Sequence, residues 1–212
     1  MKGIKFGNYH SWDDFSLILN GKEIEAPSPK VETVDIPGGD GVLDYTEYFG
    51  GVKYNNRKLK FNFSTIVSQS EFLDLFSAIQ NAIHGQKMKI ILDDDPDFYY
   101  FGRVTVDSWK ADKNVGKITI ECDCEPYKYK LNKTTVTNVV TDSAELTFAN
   151  SRKPAVPAIT LTAAAQISFS GSTYALGAGT TTSGEIVFSQ GNNVLTITGS
   201  TTITVEYQEG EL

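Results

Sequence analysis

Four places in this chain gather side chains capable of chemistry. The first is Asp93, Asp95 and Asp97, at the spacing of the first three ligands of a calcium loop. The rest of that loop is missing. Its sixth position is Phe98 instead of glycine, its twelfth is Val104 instead of glutamate, and Pro96 stiffens the run. A solvated acidic turn between strands fits better. The second is Cys122 and Cys124, two apart and on one strand face with Ile118 and Ile120. That pattern reads as two buried thiols; in-strand spacing works against a disulfide, and a metal would lack further ligands. The third is His10 in a loop with Ser11 and Asp13, together with His84. A hydrolase would have to use His10 with Asp13 or with the acidic run 93–97. Nucleophilic catalysis needs a nucleophile and an orienting carboxylate converging on the base, and the chain has no Gly-x-Ser-x-Gly elbow. His84 falls at a helix end, where it complements the helix dipole. The fourth is Ile36-Pro37-Gly38-Gly39-Asp40-Gly41. It lacks the Lys-Ser/Thr ending of a phosphate loop and leads toward no helix, so it reads as a turn or an interface loop. No catalytic residue, metal ligand or cofactor-binding residue is assigned, and the expectation is a protein that is not an enzyme.

Composition points the same way. Of 212 residues, 40% are hydrophobic and 21% charged, as in ordinary globular proteins. Two Cys and two His are too few for a disulfide scaffold or a Cys/His zinc site. The net charge of −7, without a basic stripe, argues against sequence-specific nucleic-acid binding and against docking on an anionic membrane. No apolar run approaches the ~20 residues of a membrane helix. The opening residues lack the apolar stretch of a secretory signal, so synthesis in a cytoplasm is expected.

The elements that must carry these residues are mostly strands. Leu59, Phe61, Phe63 and Thr65 alternate with polar neighbours, as do Ile118, Ile120, Cys122 and Cys124. Residues 87–92 and 99–109 read as further strands. Phe72, Leu75, Phe76, Ile79 and Ile83 form an apolar stripe at helical spacing, predicting one helix over about 69–84. Ser68 and Glu71 suggest a capping box at its start and Gly85 a left-handed cap at its end. Sixteen of the 19 Lys and Arg lie in residues 1–130, and residues 131–212 are rich in Thr. That shift predicts two domains, 1–130 and 131–212. The second shows short strand-like runs at 134–140, 145–148, 158–161, 166–169, 184–188, 193–197 and 201–207, with turn signals between them, including Gly199-Ser200. This is the signature of an antiparallel sandwich. The fold class is mainly β: two β-sandwich domains, the first with one packed helix.

Aromatic residues cluster at Tyr45, Tyr48, Phe49 and Tyr54, and again at Phe98, Tyr99, Tyr100 and Phe101. A run of four cannot place every ring on one face of a strand, so part of it is expected to face a partner.

Residues 1–130 resemble the distal tail proteins of long-tailed phages that infect Gram-positive bacteria. The likeness lies in an ordered set of pieces. These are the opening Lys5-Phe6-Gly7-Asn8-Tyr9-His10-Ser11, then Val34-Asp35 running into the loop Pro37, Gly38, Gly39, Asp40, Gly41. Leu43-Asp44-Tyr45-Thr46 and Tyr54-Asn55-Asn56-Arg57 come next, and after the helix comes the segment from Ile91 through Asp-Pro and Tyr99-Tyr100 to Gly102-Arg103-Val104. The resemblance implies a sandwich with one helix that assembles into a six-fold ring. That ring would join the tail tube to the tail-tip hub and baseplate, with receptor-binding proteins attached for host adsorption. It implies a virion tail component assembled in the host cytoplasm, and a second domain of galectin-like or jelly-roll type. The candidate interface is Pro37, Gly38, Gly39, Asp40, Gly41, Tyr45, Tyr48, Phe49, Tyr54, Arg57, Phe98, Tyr99, Tyr100, Phe101 and Arg103. The alternative is a carbohydrate-binding adhesin gripping host cell-wall saccharide. Against it, the second domain has no Trp and only Tyr174 and Tyr207 for stacking on sugars.

Overall fold

Period-two alternation dominates the first part of the chain, and the computed structural model turns it into a single rolled sheet. The structure describes residues 2–48, 50–67, 69–112 and 115–212. Two units separate, 1–128 with Leu212, and 129–211. In the first, the elements in order are β1 (Ile4–Phe6), β2 (Tyr9–His10), β3 (Ile18–Ile24), β4 (Thr33–Asp35), β5 (Val42–Asp44), β6 (Arg57–Ile66), α1 (Gln69–Ile83), β7 (Lys87–Leu92), β8 (Asp95–Asp112) and β9 (Val115–Cys124). Seven strands pair antiparallel in the order β2-β1-β7-β8-β9-β6-β3. Strands β4 and β5 form a separate ladder.

The sheet is not flat. Phe6 on β1 meets Phe61 and Phe63 on β6, with ring centroids 5.9 and 6.4 Å apart. Those strands are four steps apart in the sheet, about 19 Å if it were flat. The sheet therefore folds over until its ends face each other, making two layers around one core. Leu59, Phe61, Phe63, Ile118, Ile120, Cys122 and Cys124 all point into that core. Burial holds the Cys122 thiol well above its usual pKa and pushes Cys124 up to about 12, so neither is a ready nucleophile.

Helix α1 lies where its stripe demands. Phe72, Ile79 and Ile83 are buried, with Leu75 and Phe76 packed beside them. Each fully buried side chain of this size contributes about 1.5–3 kcal/mol. Phe72 and Phe76 stack on each other and lie tilted against Trp109, with ring centroids 5.2 and 5.8 Å from it. The expected Ser68 cap lies outside the described residues. Gly85 does end the helix in a left-handed conformation, φ 75°. The corner is then tied to β8: the Gly85 N–H donates to Val104 O at 2.8 Å and the Val104 N–H to Gln86 O at 2.9 Å. Beyond its dipole position, His84 has a second task, its Nδ1 accepting the Val106 N–H at 3.0 Å.

The second unit contains β10 (Lys128–Lys130, at the seam), β11 (Thr134–Asn150), β12 (Ala158–Leu161), β13 (Ala165–Phe169), β14 (Ser172–Leu176), β15 (Gly179–Thr182), β16 (Gly191–Tyr207) and β17 (Gly210–Glu211). Strands β11 and β16 pair without interruption from Thr134↔Tyr207 to Asn150↔Gly191. Phe148 and Tyr207 stand about 45 Å apart along such an extended ladder, yet their rings are 6.4 Å apart. The ribbon is thus bent double. Gly199, at φ 134° in the middle of β16, sits at the fold. One half of β16 pairs with β13 and the other with β12, so the two halves are the two layers. Two expectations are corrected here. The runs 134–140 and 145–148 are one strand, as are 193–197 and 201–207, because the Gly199-Ser200 turn signal marks a bend and not a reversal. Residues 184–188 are not a strand; Phe188 makes only an isolated bridge to Ala155. Tyr207, a candidate for stacking on sugar, is buried in this core.

Glu209 closes the unit. It accepts from Lys130 Nζ at 2.5 Å, Thr134 Oγ1 at 2.5 Å and Ser151 Oγ at 2.8 Å. Burial pushes its carboxyl pKa up, but the three donors together outweigh this and hold it below the usual value.

Two outcomes are expected in denaturation experiments. Gly102 on β8 has no room for a side chain: a Cβ would lie 2.4 Å from Asp123 O and 2.6 Å from Cys124 Sγ. Gly102→Ala should cost about 1–3 kcal/mol, and an unchanged denaturant midpoint would show that β8 and β9 can separate freely. Because the Glu209 carboxyl is depressed in the native state, its stabilisation is full above the unfolded-state pKa and is lost as pH falls through the native one. Glu209→Gln should therefore cost about 1–3 kcal/mol at neutral pH. Its deficit against the natural chain should shrink in acid; a deficit that stays constant would rule the charge out as the cause.

Candidate functional site

The loop singled out from its glycines is the tip of an arm. Strands β4 and β5 pair Thr33↔Asp44, Val34↔Leu43 and Asp35↔Val42, with residues 36–41 closing the turn. Gly38 and Gly41 both take positive φ there, 78° and 77°. At the base, the Lys30 N–H donates to Lys53 O at 2.8 Å and the Asn55 N–H to Ser28 O at 2.9 Å. The arm is left uncovered: among the described residues from 31 to 51, only Thr46 is less than exposed. The exposed set includes Val31, Val34, Ile36, Val42, Leu43, Tyr45 and Tyr48, the last at 72%. An isolated two-stranded ribbon is marginally stable in water, and contiguous exposed apolar surface marks a docking site. Glycines and tyrosines mark this arm in the sequence; its valines go unmarked there. Their signal is Val31 and Val34 beside Val42 and Leu43, apolar pairs with no layer to meet.

The other candidate residues divide by the pleat. Pro37, Gly38, Gly39, Asp40, Gly41, Tyr45 and Tyr48 lie on the arm, while Phe49 lies outside the described residues. Tyr54 is half-buried at the arm's base, its ring 6.1 Å from Tyr127. Arg57 and Tyr100 turn inward and are each 6% exposed. Arg57 Nε donates to Glu25 O at 2.9 Å, and its guanidinium lies 5.4 Å from the Tyr100 ring centre. Burial raises the Tyr100 pKa. These two are corrected to core positions, because alternation on β6 and β8 commits them to the inner face. Tyr99 and Phe101 take the outer face instead. Lys89 Nζ lies 4.3 Å from the Tyr99 ring centre and Lys87 Nζ 4.7 Å from that of Phe101. Phe98 lies under Lys128 Nζ at 4.1 Å. Arg103 is exposed and donates from Nη1 to Gly85 O at 2.5 Å.

Of the groups capable of chemistry, His10, His84, Asp93 and Asp95 are engaged in holding the fold, while Asp97 is exposed. Asp93 and Asp94 form the tight turn between β7 and β8. Asp93 accepts from the Gly3 N–H at 2.7 Å and faces His10 Nε2 at 3.1 Å; Asp94 pairs with Lys22, and Asp95 with Lys128 at 2.9 Å. The carboxylates therefore diverge to separate partners, and the described residues contain no metal-holding cluster. His10 does meet both suspected carboxylates, with Nδ1 2.9 Å from Asp13. Both ring nitrogens are thus engaged by carboxylates, and Ser11 Oγ is buried, accepting the Ile4 N–H at 3.0 Å. This arrangement pins β1 and β2 to the β7–β8 turn. No helix among the described residues is long and apolar enough to cross a membrane.

Neither family models nor curated proteins give a match to this chain. Its fold is similar to a solved structure, the crystal structure of SPP1 Dit (gp 19.1), a protein described as a paradigm of the hub adsorption apparatus in phages infecting Gram-positive bacteria. The TM-score is 0.76 at 18% identity, covering 100% of both chains. The likeness establishes the fold over the full length: mainly β, with one helix.

The arm's exposure has a direct readout. In dilute solution, limited chymotrypsin digestion should cut first at Tyr45 or Tyr48 and leave the rest of the chain intact. First cuts elsewhere would mean that the arm is covered.

Proposed function

We propose that this protein is a structural hub of a phage tail. The observation that carries the proposal is the full-length correspondence of fold with a hub protein of an adsorption apparatus, at TM-score 0.76. In this reading, residues 1–130 build a six-fold ring joining the tail tube to the tail tip, and residues 131–212 offer a surface for host-adsorption parts. The protein acts as a scaffold in the virion and not as an enzyme. Its partners are further copies of itself, the tail tube protein, the tail-tip hub and receptor-binding proteins, and assembly takes place in the host cytoplasm.

The geometry supports this. A cyclic ring is built from heterologous contacts, in which one patch meets a different patch on the next subunit. An arm that is apolar and uncovered in the single chain is suited to such a contact. His10, Asp93, Asp94 and Asp95 are each paired within the fold.

Light scattering on the purified chain tests the proposal. Six chains of 23.3 kDa should give a particle of roughly 140 kDa. Deleting residues 38–41 should reduce the mass to that of one chain while leaving its thermal unfolding cooperative. A single-chain mass for the intact protein at every concentration and salt level would count against the ring, and an undiminished ring after the deletion would remove the arm from its contacts.

A further inference from the structure

We infer that the acidic arm of one copy docks on the lysine-bearing outer face of β1, β7 and β8 in the next copy. The inference rests on the ring reading above and supplies its contact. From residue 31 to 52 the chain contains Glu32, Asp35, Asp40, Asp44 and Glu47 and no Lys or Arg. All five carboxylates are exposed, and none forms an ion pair among the described residues. Donation from Thr46 holds the Asp44 carboxyl below its usual pKa, which keeps it ionised. The arm thus presents five negative charges beside the exposed Val31, Val34, Val42 and Leu43.

The opposite character appears on the rolled sheet. Lys5 stands opposite Ile91 across the β1–β7 ladder, Lys89 opposite Phe101 and Lys87 opposite Arg103 across β7–β8. Their inward neighbours Ile4, Phe6, Ile90 and Leu92 are core residues, so the pleat commits these cations to the outside. Lys87 is held by Glu125 at 2.9 Å, and Arg103 faces Asp123 in register while bonding Gly85 O. Lys5 and Lys89 have no carboxylate in ion-pair range among the described residues. Lys89 lies over the Tyr99 ring, which with Ile91 and Phe101 provides an apolar floor beneath the charges.

One chain therefore carries two exposed surfaces of complementary charge, acidic-apolar on the arm and basic-aromatic on the face. Because the two differ, the contact is heterologous and each copy can give its arm to one neighbour and receive an arm from the other. Complementary potentials of this kind fix register and select against wrong partners.

Charge reversal tests the contact. All the positions chosen are exposed, so thermal unfolding should be unaffected. Lys5→Glu with Lys89→Glu, or Asp35→Lys with Asp40→Lys, should each weaken assembly at least about tenfold by sedimentation equilibrium. All four substitutions in one chain should restore it, and assembly of the natural chain should weaken as salt rises. An assembled natural chain whose mass is insensitive to either pair, or whose loss is not restored by the four-fold variant, overturns this contact and leaves the ring standing. A natural chain that never assembles overturns both.

Discussion

Unit 1 is organised by the need to hide one side of a sheet whose strands alternate without relief. Leu59, Phe61 and Phe63 on β6 and Ile118 and Ile120 on β9 put about half of each strand on the wrong side for water. A single helix is too narrow to cover seven strands. The sheet solves this by rolling until Phe6 closes on Phe61 and Phe63, with α1 filling the remaining gap. Once that inner side is fixed, the outer side is fixed with it, since a strand has only two. The lysines of β1 and β7 are outward because Ile4, Phe6, Ile90 and Leu92 are inward. The outer chemistry of the molecule is in this sense a by-product of its core.

The same economy governs where the conspicuous polar groups are spent. Asp93, Asp94 and Asp95 crowd a tight turn, and each is claimed by a different neighbour: His10, Lys22 and Lys128. A turn with several carboxylates needs counter-charges to be stable, and supplying them disperses the cluster. Glu209 shows the reverse case, one carboxylate gathering three donors and so fastening the link between β16 and β17 to β10 and to both ends of β11.

Much of this is legible in the sequence where a periodicity reports a local fact. The helix stripe from Phe72 to Ile83, the alternation at Leu59–Phe63, and Lys87–Leu92 as a strand all depend on near neighbours, and all are found in the structure. The rolled sheet is not legible, because nothing near Phe6 announces that it will meet Phe61. The bent ribbon is hidden for a related reason. Gly199 disturbs the pattern whether the chain reverses or merely bends, and only the unbroken ladder from Thr134 to Asn150 decides between them. Strands β14 and β15 give little signal because their residues are largely exposed and carry little apolar alternation. Among the candidate interface residues, composition can mark Arg57 and Tyr100 but cannot tell which side of the pleat they take.

The folded-over ribbon also sets an order of events during synthesis. Strands β11, β12 and β13 all take β16 as a ladder partner, and β16 spans Gly191–Tyr207, almost the last part of unit 2 to be made. Until it emerges from the ribosome, the strands before it lack their central partner. Unit 1 is under no such delay, since β6 through β9 and α1 are contiguous in the chain. The ladders of unit 2 are thus long-range in sequence and hang on one late strand, whereas those from β6 to β9 close over shorter stretches of chain.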